Sequence, residues 1–242
     1  MPLILSLKTE VVFIAVKKYF NFKWKQIRND YECLLSIKIN KEDVNLDKDL
    51  VLSCVYIPPS HSRYGSAEHF EELDDLLLTY TNDDYVHVVC GGFNAHTLTV
   101  SEIGPVNVDG LMSAEMPYLS QDYDIPTQRY NQDLTPDRNS YGRKLIEFCK
   151  NNQMFIFNGR LGEDSGVGKP TTTYHTTIDY FIGSLQVMQH VEAFKVLDFD
   201  PMTSDIHCGL CTKLNFNVLN DTSILSIISK SLWKVENLVI GS

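Results

Sequence analysis

The chain has 242 residues, 43% hydrophobic and 21% charged, with ordinary numbers of glycine (13) and proline (9). That composition belongs to a globular protein long enough to bury one sizeable core, and it excludes collagen-like, linker and disordered classes; no repeat of roughly 20 to 50 residues recurs, which excludes solenoids. The net charge of −10 is uneven: residues 1–63 carry 10 basic and 7 acidic side chains, residues 64–137 carry Arg129 alone against 14 acidic ones, and residues 138–242 carry 10 of each. Composition therefore offers no broad phosphate-binding surface, although a protein that holds a divalent cation can draw its local positive charge from the ion.

Taken in chain order, residues 1–10 read as an N-terminal tail, too short and too poor in basic residues to be a signal peptide. Residues 11–16, 33–39, 51–57 and 85–90 are short runs of Val, Ile, Leu and aromatics bounded by polar or turn residues, the pattern of strands. Between the last two, Phe70, Leu73, Leu77 and Tyr80 recur at helical spacing with Glu68, Glu71, Glu72, Asp74 and Asp75 on the other face, an amphipathic helix. Residues 92–138 show no sustained periodicity, and so long a stretch inside a compact domain is a mark of function or disorder. Asn139 is placed to cap a second helix, in which Tyr141, Leu145, Phe148 and Cys149 share a face, and a buried strand follows at 154–157.

The β pattern returns over residues 172–182, 191–197 and 207–216. After a polar break at 217–222 the chain ends in an apolar, helix-like tail, which Lys230, Lys234 and Glu236 interrupt too often for a membrane span. The expected organisation is a tail (1–10), one α/β domain (11–216) and a C-terminal apolar tail (217–242). Five of the six cysteines sit in apolar runs, and the close pair Cys208 and Cys211 lacks the second pair that a zinc site needs. Together with the missing signal this points to reduced thiols and an intracellular location, cytoplasmic or nuclear.

The chemistry concentrates where strands end. YVHVVCGGFNAH (85–96) runs from a buried strand into Gly91 and Gly92 and then presents Asn94 and His96, small residues that let a ligand approach followed by polar ones that can meet it. With CVYIPP (54–59) before it and TIDYFIGS (177–184) and SDIHC (204–208) after it, the chain resembles the endonuclease/exonuclease/phosphatase superfamily, the deoxyribonuclease I-like group. NSYGRKLIEFCK (139–150) and FNGR (157–160) are similar to the endonuclease branch of LINE-type retrotransposons. The resemblance covers roughly residues 11–216.

That resemblance implies a four-layer α/β sandwich, two packed mixed sheets flanked by helices, which hydrolyses phosphodiesters of DNA with Mg2+ or Mn2+. It implies that Tyr56 and Asn94 hold the phosphate, that Asp179 orients the catalytic histidine, that His207 is the general base and that Asp205 binds the metal. His96 falls at the rim of such a site.

Three departures qualify it. The family motif Gly-Asp-x-Asn has Gly92 in place of its aspartate, and glycine neither accepts a proton nor holds a cation. The strands that carry the family's N-terminal asparagine and metal-binding glutamate have no counterpart, and Glu10 does not fit that role, so the first strands are expected to be missing. Ile206 separates Asp205 from His207, a one-residue shift that reverses a side chain's face unless the backbone bulges. These departures make an impaired enzyme the expected reading, with a non-catalytic module that binds nucleic acid or protein as the alternative.

Overall fold

Alternation along the strands decides the layers. The computed structural model describes residues 3–6, 13–16, 23–27, 31, 33–44, 46–80, 84–103, 126–202, 204–215 and 224–229. In chain order its elements are β1 (Leu3–Ser6), β2 (Phe13–Val16), β3 (Trp24–Ile27), β4 (Leu34–Ile39), α1 (Lys41–Val44), β5 (Asp49–Tyr56), α2 (Glu68–Thr79), β6 (Tyr85–Gly92), α3 (Ser140–Asn151), β7 (Met154–Ile156), β8 (Asp179–Ser184), α4 (Leu185–Met188), β9 (Val191–Val196), β10 (Leu210–Asn215) and β11 (Ile224–Ser229). The larger sheet has the order β3-β4-β5-β6-β8-β7, mixed because β5 and β6 run parallel while their neighbours are antiparallel.

Successive side chains on a strand face opposite ways, and here both faces are apolar. Val51, Val55, Val89, Tyr180 and Ile182 pack with Phe70, Leu73 and Leu77 of α2 and with Leu145, Phe148 and Cys149 of α3. Leu50, Leu52, Val88, Cys90 and Phe181, on the other face, pack with Phe194, Val196, Leu210, Leu214 and Ile227 of the smaller sheet, β11-β10-β9. The α/β architecture with two packed sheets and helices is thus the one observed. Its two long helices both cover the larger sheet because each carries one apolar stripe.

Four local expectations change. Residues 3–6, read as tail, form β1 and pair with β2 from Leu3↔Val16 to Ser6↔Phe13, in a two-stranded sheet of their own. Residues 224–229 are not helical: β11 pairs with β10 from Leu210↔Ser229 to Asn215↔Ile224, so the smaller sheet extends past residue 216. The strand expected over 172–182 begins only at Asp179, because the threonines before it turn inward on the chain: the Thr171 N–H reaches the Thr176 carbonyl (2.9 Å) and the Thr172 and Thr176 hydroxyls meet at 2.7 Å, local bonds that compete with a ladder. The strand expected over 207–216 starts only at Leu210, as β10. Much of the aperiodic stretch, residues 104–125, lies outside the described residues, as does most of the C-terminal tail.

Candidate active site

The register places three positions in a row. Tyr56 at the end of β5 is the Cα partner of Gly92 at the end of β6, and Gly92 is the partner of Asp179 at the start of β8. The row below it is Cys54, Cys90 and Phe181, which lies in the core between the sheets. The row of Tyr56, Gly92 and Asp179 therefore sits at the rim of the seam between the two sheets, on the face that looks toward the smaller one.

His207 enters this rim from the smaller sheet's side. Its Nδ1 lies 2.8 Å from Oδ2 of Asp179, and both side chains are buried. The backbone around it is pinned: the His207 N–H donates to Ser204 Oγ (3.0 Å), the Cys208 N–H to the Thr171 carbonyl (2.7 Å), and Thr172 and His207 form an isolated bridge. The Asp179 N–H donates to Thr171 Oγ1 (3.2 Å), and Asn158 fastens β8 by donating to the Asp179 carbonyl (3.2 Å) and accepting from the Phe181 N–H (3.0 Å). Burial works against the imidazolium most strongly, but the hydrogen bond and the charge of Asp179 together outweigh it, so the pKa of His207 is held above its ordinary value. With Nδ1–H directed at Asp179, Nε2 is the nitrogen left to accept a proton.

The inserted Ile206 does not turn His207 away. Residues 204–209 are not regular strand, so strict alternation does not apply there, and the displaced residue is Asp205, which is exposed. Asn94 has a positive φ of 49°, a conformation Asn tolerates, and its Nδ2 donates to the Ile57 carbonyl (2.8 Å), leaving one amide hydrogen and Oδ1 for other partners. Gly91 and Gly92 differ in kind. Gly91 has φ 140° and a Cβ there would lie 2.0 Å from the Val55 carbonyl oxygen; Gly92 is not among the positive-φ glycines. The backbone demands glycine at 91, whereas the φ at 92 makes no such demand.

Some residues around the site are legible in the sequence, as Asn139 and FNGR are, and others, such as Asp133, are not. Asp133 lies in the aperiodic stretch, yet its carboxylate has no exposed surface and approaches His96 Nδ1 at 2.9 Å. Asn139 caps α3 by accepting from the Gly142 N–H (2.7 Å), and it also takes the His96 N–H (3.0 Å) and donates to the Asn94 carbonyl (2.8 Å). Arg129, buried, donates from Nη2 to Thr97 Oγ1 (2.9 Å) and to the carbonyls of Leu98 (2.9 Å) and Val100 (2.7 Å), and it braces the loop in which Leu98 has φ 52°. The FNGR segment is explained residue by residue: Asn158 ties β8, a Cβ at Gly159 would strike the Tyr130 carbonyl oxygen at 1.8 Å, and Arg160 pairs in the interior with Glu102.

Among solved structures, the endonuclease domain of TRAS1, a telomere-specific non-LTR retrotransposon, is similar to this chain at a TM-score of 0.57 and 12% identity, over 89% of this chain and 79% of that one. The human Nocturnin catalytic domain is similar at a TM-score of 0.37 and 14% identity, over 85% of this chain and 58% of that one. No family model and no curated protein matches the chain. The chain has the deoxyribonuclease I-like fold.

In that fold the rim described above is where a divalent cation would be expected, and the donor set here does not fit one. Among the described residues no three His, Cys, Asp or Glu side chains cluster to hold a metal. Position 92 has no side chain, Asp179 is engaged with His207, and Asp205 is turned to solvent. No helix among the described residues is long and apolar enough to cross a membrane.

Proposed function

We propose that this chain is a nuclease-type domain that hydrolyses phosphodiesters of DNA with reduced power, having kept the proton-transfer and phosphate-holding side of its site without the carboxylate at position 92. The observation that carries this reading is the buried contact between His207 and Asp179 at 2.8 Å. In the proposed step His207 Nε2 takes a proton from the attacking water, while Asp179 fixes the tautomer and stabilises the imidazolium that forms. The Tyr56 hydroxyl and the remaining amide hydrogen of Asn94 hold the phosphate at the ends of β5 and β6. Magnesium or manganese is what the fold family would add, and among the described residues no set of side chains at this rim fits it.

Loss of one well-placed acid or base costs about 10²- to 10⁴-fold. Purified chain should therefore nick supercoiled plasmid at least about 10²-fold more slowly than the Gly92→Asp variant, and His207→Ala should abolish the activity that remains. Magnesium-dependent nicking as fast in the unaltered chain as in Gly92→Asp would overturn the reading, since a carboxylate elsewhere would then be doing the work. A folded chain that binds DNA without cutting it, before and after Gly92→Asp, would leave the binding-module alternative.

A further inference from the structure

His96 and Asp133 form a second histidine–carboxylate pair that the proposed step does not use. Asp133 is held from all sides: its Oδ1 accepts the Thr135 N–H (2.9 Å) and hydroxyl (2.5 Å), and its Oδ2 accepts the Thr177 N–H (3.0 Å) and faces His96 Nδ1 (2.9 Å). Burial alone would raise its pKa most, but the hydrogen bonds from His96, Thr135 and Thr177 outweigh that and keep the carboxyl below its ordinary value, hence ionised. An ionised acceptor at Nδ1 fixes the imidazole so that Nε2 is its working nitrogen, and it is the imidazolium form of the ring that carries on Nε2 a proton to give. The His96 side chain is 21% exposed while that of Asp133 is 0% exposed, so the open edge of the ring is the one opposite Asp133. Nε2 has no partner among the described residues.

The two pairs share one strut. Thr177, whose N–H holds Asp133, lies two residues before Asp179, which holds His207. The Phe93 N–H donates to the Ile178 carbonyl (2.9 Å), and the buried Tyr180 hydroxyl lies 2.7 Å from the Ala95 carbonyl and 2.8 Å from that of Thr177, which locks the backbone leading to His96 onto the strut. Burial pushes the Tyr180 phenol up to about 12, so it stays a donor at any working pH. His96 is also clamped from behind, where a Cβ at Gly142 would lie 1.9 Å from its carbonyl oxygen.

Resting on the nuclease reading above, we propose that His96, oriented by Asp133, is the general acid for the activity that remains without a carboxylate at position 92. The step balances as follows: the water oxygen bonds to phosphorus and its proton passes to His207 Nε2, the bond from phosphorus to the 3′ oxygen breaks, and that oxygen takes the proton from His96 Nε2. Water then returns the protonation states, with no external oxidant or metal required by the balance.

The test compares two DNA duplexes that differ in one atom at a single cleavable linkage, the ordinary 3′ oxygen or a bridging 3′ sulfur, whose thiolate leaves without a proton. His96→Gln and His96→Ala should cut the oxygen linkage about 10²- to 10⁴-fold more slowly than the unaltered chain and the sulfur linkage at a nearly unchanged rate. Both variants are to be shown folded by an unaltered His207 ring signal in NMR. Equal losses on both linkages would make His96 a structural or phosphate-positioning residue and overturn the proposal, and so would no loss on either. Cleavage of the sulfur linkage alone by the unaltered chain would show that no general acid operates. If the unaltered chain cuts neither linkage, the nuclease reading itself fails, an outcome distinct from all of these.

Discussion

Placing an aspartate at position 92 tests the site and the register together. Gly92 and Asp179 are Cα partners across an antiparallel pair, so their side chains would lie on the same face with Cβ atoms about 5 Å apart. Two carboxylates at that distance repel by about 3 kcal/mol at an effective dielectric constant of about 20. Replacing a strand glycine recovers about 0.5 to 1 kcal/mol, and nothing in the φ of Gly92 opposes a side chain. Gly92→Asp should therefore lower stability by about 2 to 3 kcal/mol at neutral pH in EDTA.

The repulsion raises the folded-state pKa of the carboxylate pair, so the loss should vanish as pH falls below about 4 and grow as pH rises above it. A divalent cation between the two carboxylates would restore about 2.7 kcal/mol at 100 times its Kd. Urea midpoints of the unaltered chain and the variant, in EDTA and in magnesium, read all of these quantities, and plasmid nicking reads the accompanying gain. Equal stability of the two chains in EDTA at neutral pH, or a loss that magnesium does not touch, would refute the reasoning, because the two side chains would then not share a site.

Other perturbations probe the frame around the site. His207 has a raised pKa, so its contribution to stability is present below about 6.5 and fades as pH rises through the folded value; His87, buried with its pKa lowered by burial, contributes in the opposite sense and loses stability as pH falls below about 6.5. Asp179→Asn should therefore steepen the acid-side loss and His87→Gln should flatten it, and urea midpoints between pH 5 and 8 that change equally for both would contradict the assignment. Glu102→Ala strands the buried Arg160 and should cost about 3 to 5 kcal/mol by denaturant titration; a cost below about 1 kcal/mol would mean that the interior there is wet. Asn139→Ala removes the α3 cap and leaves the His96 N–H without its acceptor, a combined loss of about 2 to 4 kcal/mol that a thermal melt would detect. Gly91→Ala should be far worse tolerated than Gly92→Ala in a thermal melt, since Gly91 has a φ of 140° and a Cβ there meets the Val55 carbonyl, while Gly92 is not among the positive-φ glycines.

Local patterns carried much of the fold. The continuous apolar runs of β4, β5 and β6 and the single apolar stripes of α2 and α3 are signals set by neighbours in the chain, as is the Asn139 cap, which needs only the N–H three residues on. Where a segment's structure depended on a distant partner, the reading slipped. β11 is a strand because β10 offers it an edge, and residues 172–178 are turns because Thr171 and Thr172 found closer bonds than a ladder. The part of the stretch after Gly92 that lies outside the described residues has no periodicity in its sequence.

The site divides the same way. The residue types Tyr56, Asn94, Asp179 and His207, and the absence of an acid at 92, stand in the sequence and name the groups that the proposed step would use. Which of them meet is decided by strand register and by a backbone that leaves regular geometry after Ser204: these bring His207 to Asp179 and turn Asp205 outward. The pairing of His96 with Asp133, 37 residues apart, could come only from the tertiary structure. A buried carboxylate is set by the donors that converge on it through space, and no spacing along the chain encodes that convergence.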